Sequence, residues 1–141
     1  MKVKDVMTKN VAFVNPAETV SETAHLMQMH NVGSIPVCDQ SGVVGIVTDR
    51  DIVVRTVAHG KNPQQTPVSD IMTTGVTTVS PEMEMDAVAK QMANSQIRRV
   101  PVIENNNLVG IVALGDVAIE AKYDTEVADT LSNISKPNQP Q

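Results

Sequence analysis

The chain is predicted to fold as an α+β protein made of two like β-α-β-β-α units. Two observations carry this prediction. First, residues 3–54 align without a gap on residues 68–119 at a constant offset of 65, with 16 of 52 positions identical. Unrelated segments of ordinary composition would match at roughly three. Second, each copy runs through the same order of patterns: a short apolar run, a helical period, then two apolar runs around a polar turn. A unit of about fifty residues is too small to bury a good core alone, so the copies are expected to pack on each other and form clefts where they meet.

The elements follow in order. Val11–Val14 reads as a short strand ending at the turn signal Asn15-Pro16. Thr19 with Glu22 looks like a capping box, and Val20, Ala24 and Met27 then recur at helical spacing, giving a helix over about 19–30. Ile35–Cys38 is a second strand. Pro36 implies that it starts late or lies at an edge there. Asp39–Gly42 is a hairpin turn, and Val43–Val47 is a continuous apolar strand expected to be covered on both faces. Thr48 can cap the next helix, with Asp49 and Asp51 in its acid-favouring first turn.

The second copy repeats the order. Val76–Val79 is a strand. Met85–Ser95 is a helix with Met85, Ala89 and Met92 inward. Val100–Ile103 and Leu108–Ala113 form a hairpin across Glu104–Asn107, and a last repeat helix opens at Asp116 and runs to about Ala121. The domain reading is repeat 1 over 1–60, a linker over 61–67 that holds Pro63 and Pro67, repeat 2 over 68–123, and a C-terminal helix with a frayed tail over 124–141.

Composition narrows the function. Of 141 residues 41% are apolar, enough for a core, but there is one Phe, one Tyr and no Trp, and the net charge is −5. A duplex binder shows a basic stripe and a single-strand binder shows aromatic platforms. Neither pattern is present, so nucleic-acid binding is not expected. Cys38 is the single cysteine, so no internal disulfide can form, and its apolar surroundings suit a small buried hydrophobe. No stretch reads as a signal peptide or membrane span, which makes a cytoplasmic protein the default. His25 and His30 stand five apart and His59 falls in the connecting stretch 56–67, so no metal site is expected. No triad, paired-carboxylate or glycine-rich phosphate fingerprint appears, and an enzyme is not expected. The eight methionines fall mostly on inward helix positions, where core filling is the plain reading.

Several residues nonetheless suit a ligand. Asp51 and Asp116 recur at the same place in both copies, while their neighbours change. A carboxylate has two acceptor oxygens and a cis-diol offers two donors, the same physics by which an acidic residue holds a ribose in a dinucleotide fold. The competing reading is an Asp that merely suits the helix dipole. Thr48 and the amides after it could meet a phosphate or serve only as a cap. Ala113 replaces Thr48 in the second copy, and Leu114 and Gly115 replace Asp49 and Arg50, so the two clefts should differ.

Taken together the motifs resemble a known family. Asp5-Val6-Met7-Thr8, Ile35-Pro36-Val37 and Gly45-Ile46-Val47-Thr48-Asp49-Arg50-Asp51 are similar to the cystathionine-β-synthase (CBS) domain. The second copy repeats the set with Asp70-Ile71-Met72-Thr73, Arg98-Arg99-Val100-Pro101-Val102 and Gly110–Asp116. No single piece is specific; the whole ordered set occurring twice is. A tandem pair of this kind is called a Bateman module, and the chain resembles small stand-alone bacterial pair proteins.

The resemblance implies two repeats packed sheet to sheet with pseudo-two-fold symmetry. It also implies clefts that bind AMP, ADP or ATP, or another adenosyl ligand such as S-adenosylmethionine or NAD, and a sensing role without catalysis. Asp51 and Asp116 would accept from the ribose hydroxyls. Arg98 and Arg99, a basic pair that Gly33 and Ser34 replace in the first copy, would reach phosphates, with Thr48 and Arg50 as further phosphate contacts. The adenine slot would be lined by Val11, Ala12, Val32, Gly33, Ile35 and Pro36, and in the second copy by Val76, Thr77, Ile97, Val100 and Pro101. Each of these is also an ordinary core position. No cofactor is required beyond the nucleotide as regulatory ligand. The expected partners are a second copy in a homodimer and a separate effector protein. The alternative is a ligand-free interaction scaffold.

Overall fold

The computed structural model describes residues 1–113. The expected helix from Asp116, the C-terminal helix and the tail lie outside the described residues. The elements in chain order are α1 (Val3–Val6), α2 (Val20–His30), β1 (Ser34–Asp39), β2 (Gly42–Thr48), α3 (Asp49–Ile52), α4 (Met85–Ser95), β3 (Arg99–Glu104) and β4 (Asn107–Ala113). A π-helical turn, Val53–Val57, extends α3, and a 3-10 turn spans Val68–Asp70. Strands β1 and β2 form one two-stranded sheet and β3 and β4 another, an α+β architecture.

The chain forms two compact units, and these are not the two sequence repeats. Of the described residues, one unit comprises Met1–Asn10, Thr77–Asn105 and Val109–Ala113; the other comprises Val11–Val76 with Asn106–Leu108. The opening segment of each repeat thus belongs to the unit that holds the other repeat's hairpin. Backbone bonds show why. Thr73 and Ile46 exchange N–H···O bonds at 2.9 and 3.0 Å, and Thr8 and Ile111 do the same at 2.8 and 3.0 Å. Both pairs sit at equivalent places in the duplication, and each gives a hairpin strand a partner on its free edge.

In the Val11–Val76 unit, Thr19 caps α2 by accepting from the Glu22 N–H at 3.1 Å. Only this half of the expected capping box is formed as a hydrogen bond through Thr19. The helix ends at Asn31 in the left-handed conformation, which Asn tolerates (φ 53). Val20 and Met27 face the core as expected, but Ala24 is exposed and Thr23 is fully buried in its stead. The hydroxyl of Thr23 makes this tolerable by donating to the Thr19 carbonyl at 2.9 Å.

Strand β1 pairs antiparallel with β2, Ser34 opposite Thr48 and Ile35 opposite Val47, with an irregularity between Val37 and Cys38. Gly42 closes the turn at φ +110, a conformation that L side chains rarely adopt. The expected strand at 11–14 contracts to one bridge, Val14 to Val37. Val14 donates to the Pro36 carbonyl at 3.1 Å and accepts from the Cys38 N–H at 2.8 Å. Pro36 therefore sits inside β1, on the side where only its carbonyl is needed, rather than delaying the strand. Val14, Val20, Ile35, Val37, Val47, Val68 and Ile71 make the core. Strand β2 is only partly covered, with Val43, Val44 and Ile46 half-buried.

The other unit repeats this logic. Helix α4 buries Met85, Val88, Ala89 and Met92, against Val3, Val79, Val100, Val102 and Val112. Residues 76–79 likewise contract to one bridge, Val79 to Val102.

Candidate functional site

Three side chains converge on Asp51 within the Val11–Val76 unit. Strand β2 ends at Thr48, whose hydroxyl accepts from the Asp51 N–H at 3.0 Å; Asp51 Oδ2 accepts in return from the Thr48 N–H at 3.0 Å. This reciprocal box starts α3 and fixes the carboxylate, leaving Asp51 only 9% exposed. The Thr73 hydroxyl donates to the same Oδ2 at a long 3.5 Å. Oδ1 faces Arg55 Nε at 3.8 Å, an ion pair beyond hydrogen-bond distance. One oxygen of a buried carboxylate is thus occupied by the backbone and a hydroxyl, while among the described residues the other meets only a half-exposed guanidinium.

The amides at the start of α3 are engaged by the protein itself. Asp49 donates to the Gly33 carbonyl at 2.9 Å, Arg50 donates to Asp49 Oδ1 at 2.8 Å, and Asp51 donates to Thr48. Thr48 acts here as a cap, and Arg50 is exposed. Asp49 also lies over Gly33, its Oδ2 3.1 Å from where a Cβ would stand.

The remaining predicted residues fall in both units. Val11, Ala12, Val32, Gly33 and Val76 are half-buried in the Val11–Val76 unit, and Pro36 is buried. Ile35 is fully buried in the core. Ser34 beside it is 6% exposed, and its hydroxyl has no hydrogen-bond partner among the described residues. In the other unit Arg98 and Arg99 are exposed, Thr77 and Ile97 half-buried, Pro101 buried and Val100 fully buried in the core. Asp116 lies outside the described residues.

Two partners of Asp51 escaped the sequence reading. Arg55 stands at i+4 on the same helical stretch, a spacing that could have found it. Thr73 is 22 residues away on the exchanged segment, and nothing in the sequence places it there. Cys38 is half-buried; burial, and to a lesser degree the Asp39 charge, pushes its thiol up, so it is no reactive thiolate. Among the described residues no three His, Cys, Asp or Glu side chains group as metal ligands, and no helix is long and apolar enough to cross a membrane.

A helix followed by a two-stranded hairpin, occurring twice with each hairpin bonded to the other copy's opening segment, defines a tandem repeat pair. The chain belongs to the CBS domain family, whose model matches residues 3–56 and 68–122. It is 48% identical over 136 residues to the CBS domain-containing protein YhcV of Bacillus subtilis, covering 96% of each chain. The crystal structure of Hypoxic Response Protein I, described with two coordinated zinc ions, superposes with a TM-score of 0.77 at 32% identity, over 84% of this chain and 98% of that one. The CBS domain pair of protein MJ0100, in complex with 5′-methylthioadenosine and S-adenosyl-L-methionine, superposes with a TM-score of 0.76 at 28% identity, over 86% and 96%. CBS pairs are regulatory ligand-binding modules, and the match indicates no catalytic family.

Proposed function

We propose that this chain is a non-catalytic sensor that binds an adenosyl ligand, foremost AMP, ADP or ATP, and passes the signal to a separate partner protein. The observation that carries this reading is Asp51: buried, fixed by Thr48, and with Oδ1 short of a hydrogen-bond donor among the described residues. A ribose hydroxyl supplies that donor. The adenosyl ligands of the MJ0100 CBS pair support the same class. Asp116 holds the equivalent role in the second copy, and Arg98 and Arg99 meet the phosphate. Calorimetry with AMP, ADP, ATP, 5′-methylthioadenosine and S-adenosylmethionine tests this. Asp51→Ala or Asp116→Ala should weaken binding by roughly 10- to 150-fold, the cost of a charged hydrogen bond (about 1.5–3 kcal/mol). Unchanged affinity in both variants rules the ribose assignment out.

A second reading is a ligand-free protein-interaction scaffold. Val53, Val57 and Met29, at 58%, 65% and 68% exposed, favour it. A homodimer and a separate effector are the partners it calls for. Thermal melts with the same ligand panel separate the two readings, because a ligand of the folded state raises the melting temperature. Melts unmoved by every adenosyl compound favour the scaffold.

A further inference from the structure

We infer that Arg55 is a positioning residue that ties Asp51 to the exchanged segment 71–73, so that occupation of the carboxylate is felt at Thr73. Nη1 of Arg55 donates to the carbonyls of both Ile71 and Met72 at 3.3 Å. Nε of the same planar group faces Asp51 Oδ1 at 3.8 Å. A guanidinium holds its donors in a rigid fork, so the position of those two carbonyls sets where Nε lies against the carboxylate. Thr73 completes the circuit by donating to Asp51 Oδ2 while its backbone pairs with Ile46. Three successive residues of one segment thus converge on one acidic side chain and its helical neighbour.

The consequence deepens the adenosyl reading and rests on it. Oδ2 already accepts from the Thr48 N–H and the Thr73 hydroxyl, and an oxygen has two lone pairs. A diol that engages both carboxylate oxygens takes Oδ1 and displaces Thr73, whose bond is the longest of the set. Ligand binding therefore loosens the hold on Thr73, and the exchanged segment 71–73 carries the message. Carrying the offset of 65 one position further, the sequence counterpart of Arg55 is Glu120, which has no guanidinium donors, so the second copy does not repeat this tie. Thr8, paired with Ile111 as Thr73 is with Ile46, is then a built-in control.

Amide hydrogen exchange on the full chain tests this, with AMP and adenosine as probes. Saturating either probe should speed exchange at Thr73 about fivefold or more, local opening being what exchange reads. Arg55→Met keeps the stem and removes the fork. It should speed Thr73 exchange several-fold without any probe, abolish the further response to AMP, and leave Thr8 unchanged. Arg55→Lys, a point charge, should behave like Arg55→Met. Exchange at Thr73 and Thr8 rising equally in Arg55→Met, or at neither, overturns the tie. AMP binding with no response at Thr73 in the natural protein overturns the coupling while leaving the ligand reading intact. Failure of both probes to bind overturns the ligand reading and the coupling; the comparison without probe still decides whether Arg55 holds the segment.

Discussion

The sulfur of Met72 lies 2.5 Å from where a Cβ on Gly45 would stand. The same relationship recurs between Met7 and Gly110, at 2.7 Å. Each methionine belongs to an exchanged segment and each glycine to the hairpin strand it lies on. The glycine in the repeated Val-Gly-Ile-Val motif is thus there so that a neighbouring segment can pass. Gly45→Ala and Gly110→Ala should each destabilise by about 1–3 kcal/mol, the usual cost of overpacking. The two should respond differently to relief. At Gly45 the nearest atoms belong to a flexible side chain, with the Thr73 carbonyl at 3.0 Å; at Gly110 the Thr8 carbonyl stands at 2.8 Å. Met72→Ala should therefore offset more of the Gly45→Ala penalty than Met7→Ala does at Gly110. Urea unfolding of the two double-mutant cycles measures it, and equal coupling energies would contradict this packing account.

That exchange marks the limit of what the sequence reveals. The helices α2 and α4 and both hairpins follow from period and turn chemistry, which are local. The offset of 65 says that Thr8 and Thr73 are equivalent, but not that Thr8 pairs with Ile111 and Thr73 with Ile46. Residues 11–14 have the composition of a strand, yet only Val14 reaches both bonds that a bridge needs. Ala24 fits a helical stripe that the fold rotates by one residue in favour of Thr23, whose hydroxyl finds a local carbonyl. At the site, the box of Thr48 with Asp51 is legible because it spans three residues. Thr73 is not, because chain topology brings it there.

Thr48 should matter to stability apart from any ligand. Its hydroxyl accepts from Asp51 and starts α3. Thr48→Ala should cost about 1 kcal/mol, a typical N-cap loss, and Thr48→Ser much less. Chemical denaturation without nucleotide reads this directly. A Thr48→Ala protein as stable as its parent would show that the cap contributes nothing to the fold.

Thr56 presents the opposite case. It is fully buried on the π-helical turn, and its hydroxyl has no partner among the described residues. A buried hydroxyl without a hydrogen bond carries its desolvation cost uncompensated. Thr56→Val keeps the branched shape and removes the polar atom, so it should stabilise by about 1 kcal/mol or more. Thermal melts and urea midpoints check it. Loss of stability would mean that the hydroxyl is satisfied in solution, by a bound water for example.

Glu82 gives a pH test with a definite sign. The hydrogen bond from Lys2 at 2.7 Å, then that from Lys4 at 3.1 Å, holds its carboxyl below the ordinary 4.5. A depressed folded-state value means that the ionised form favours the fold. Its contribution is complete above the unfolded value and is lost as pH falls through the folded one. Lys2 is raised above its ordinary 10.5, first by its hydrogen bond to Glu82, so its share is complete below that value and is lost only as pH rises beyond it. Between these limits the contribution is flat, and both groups are solvent-exposed, so salt screens it. Glu82→Gln should lower the melting temperature slightly near neutral pH in dilute buffer. The difference should shrink as pH falls below the ordinary 4.5 and vanish once Glu82 is protonated in the folded chain, and it should vanish again in about 1 M salt, where the screening length falls to roughly 3 Å. A gap that persists in acid and in salt would assign the effect of Glu82 to packing rather than to its charge.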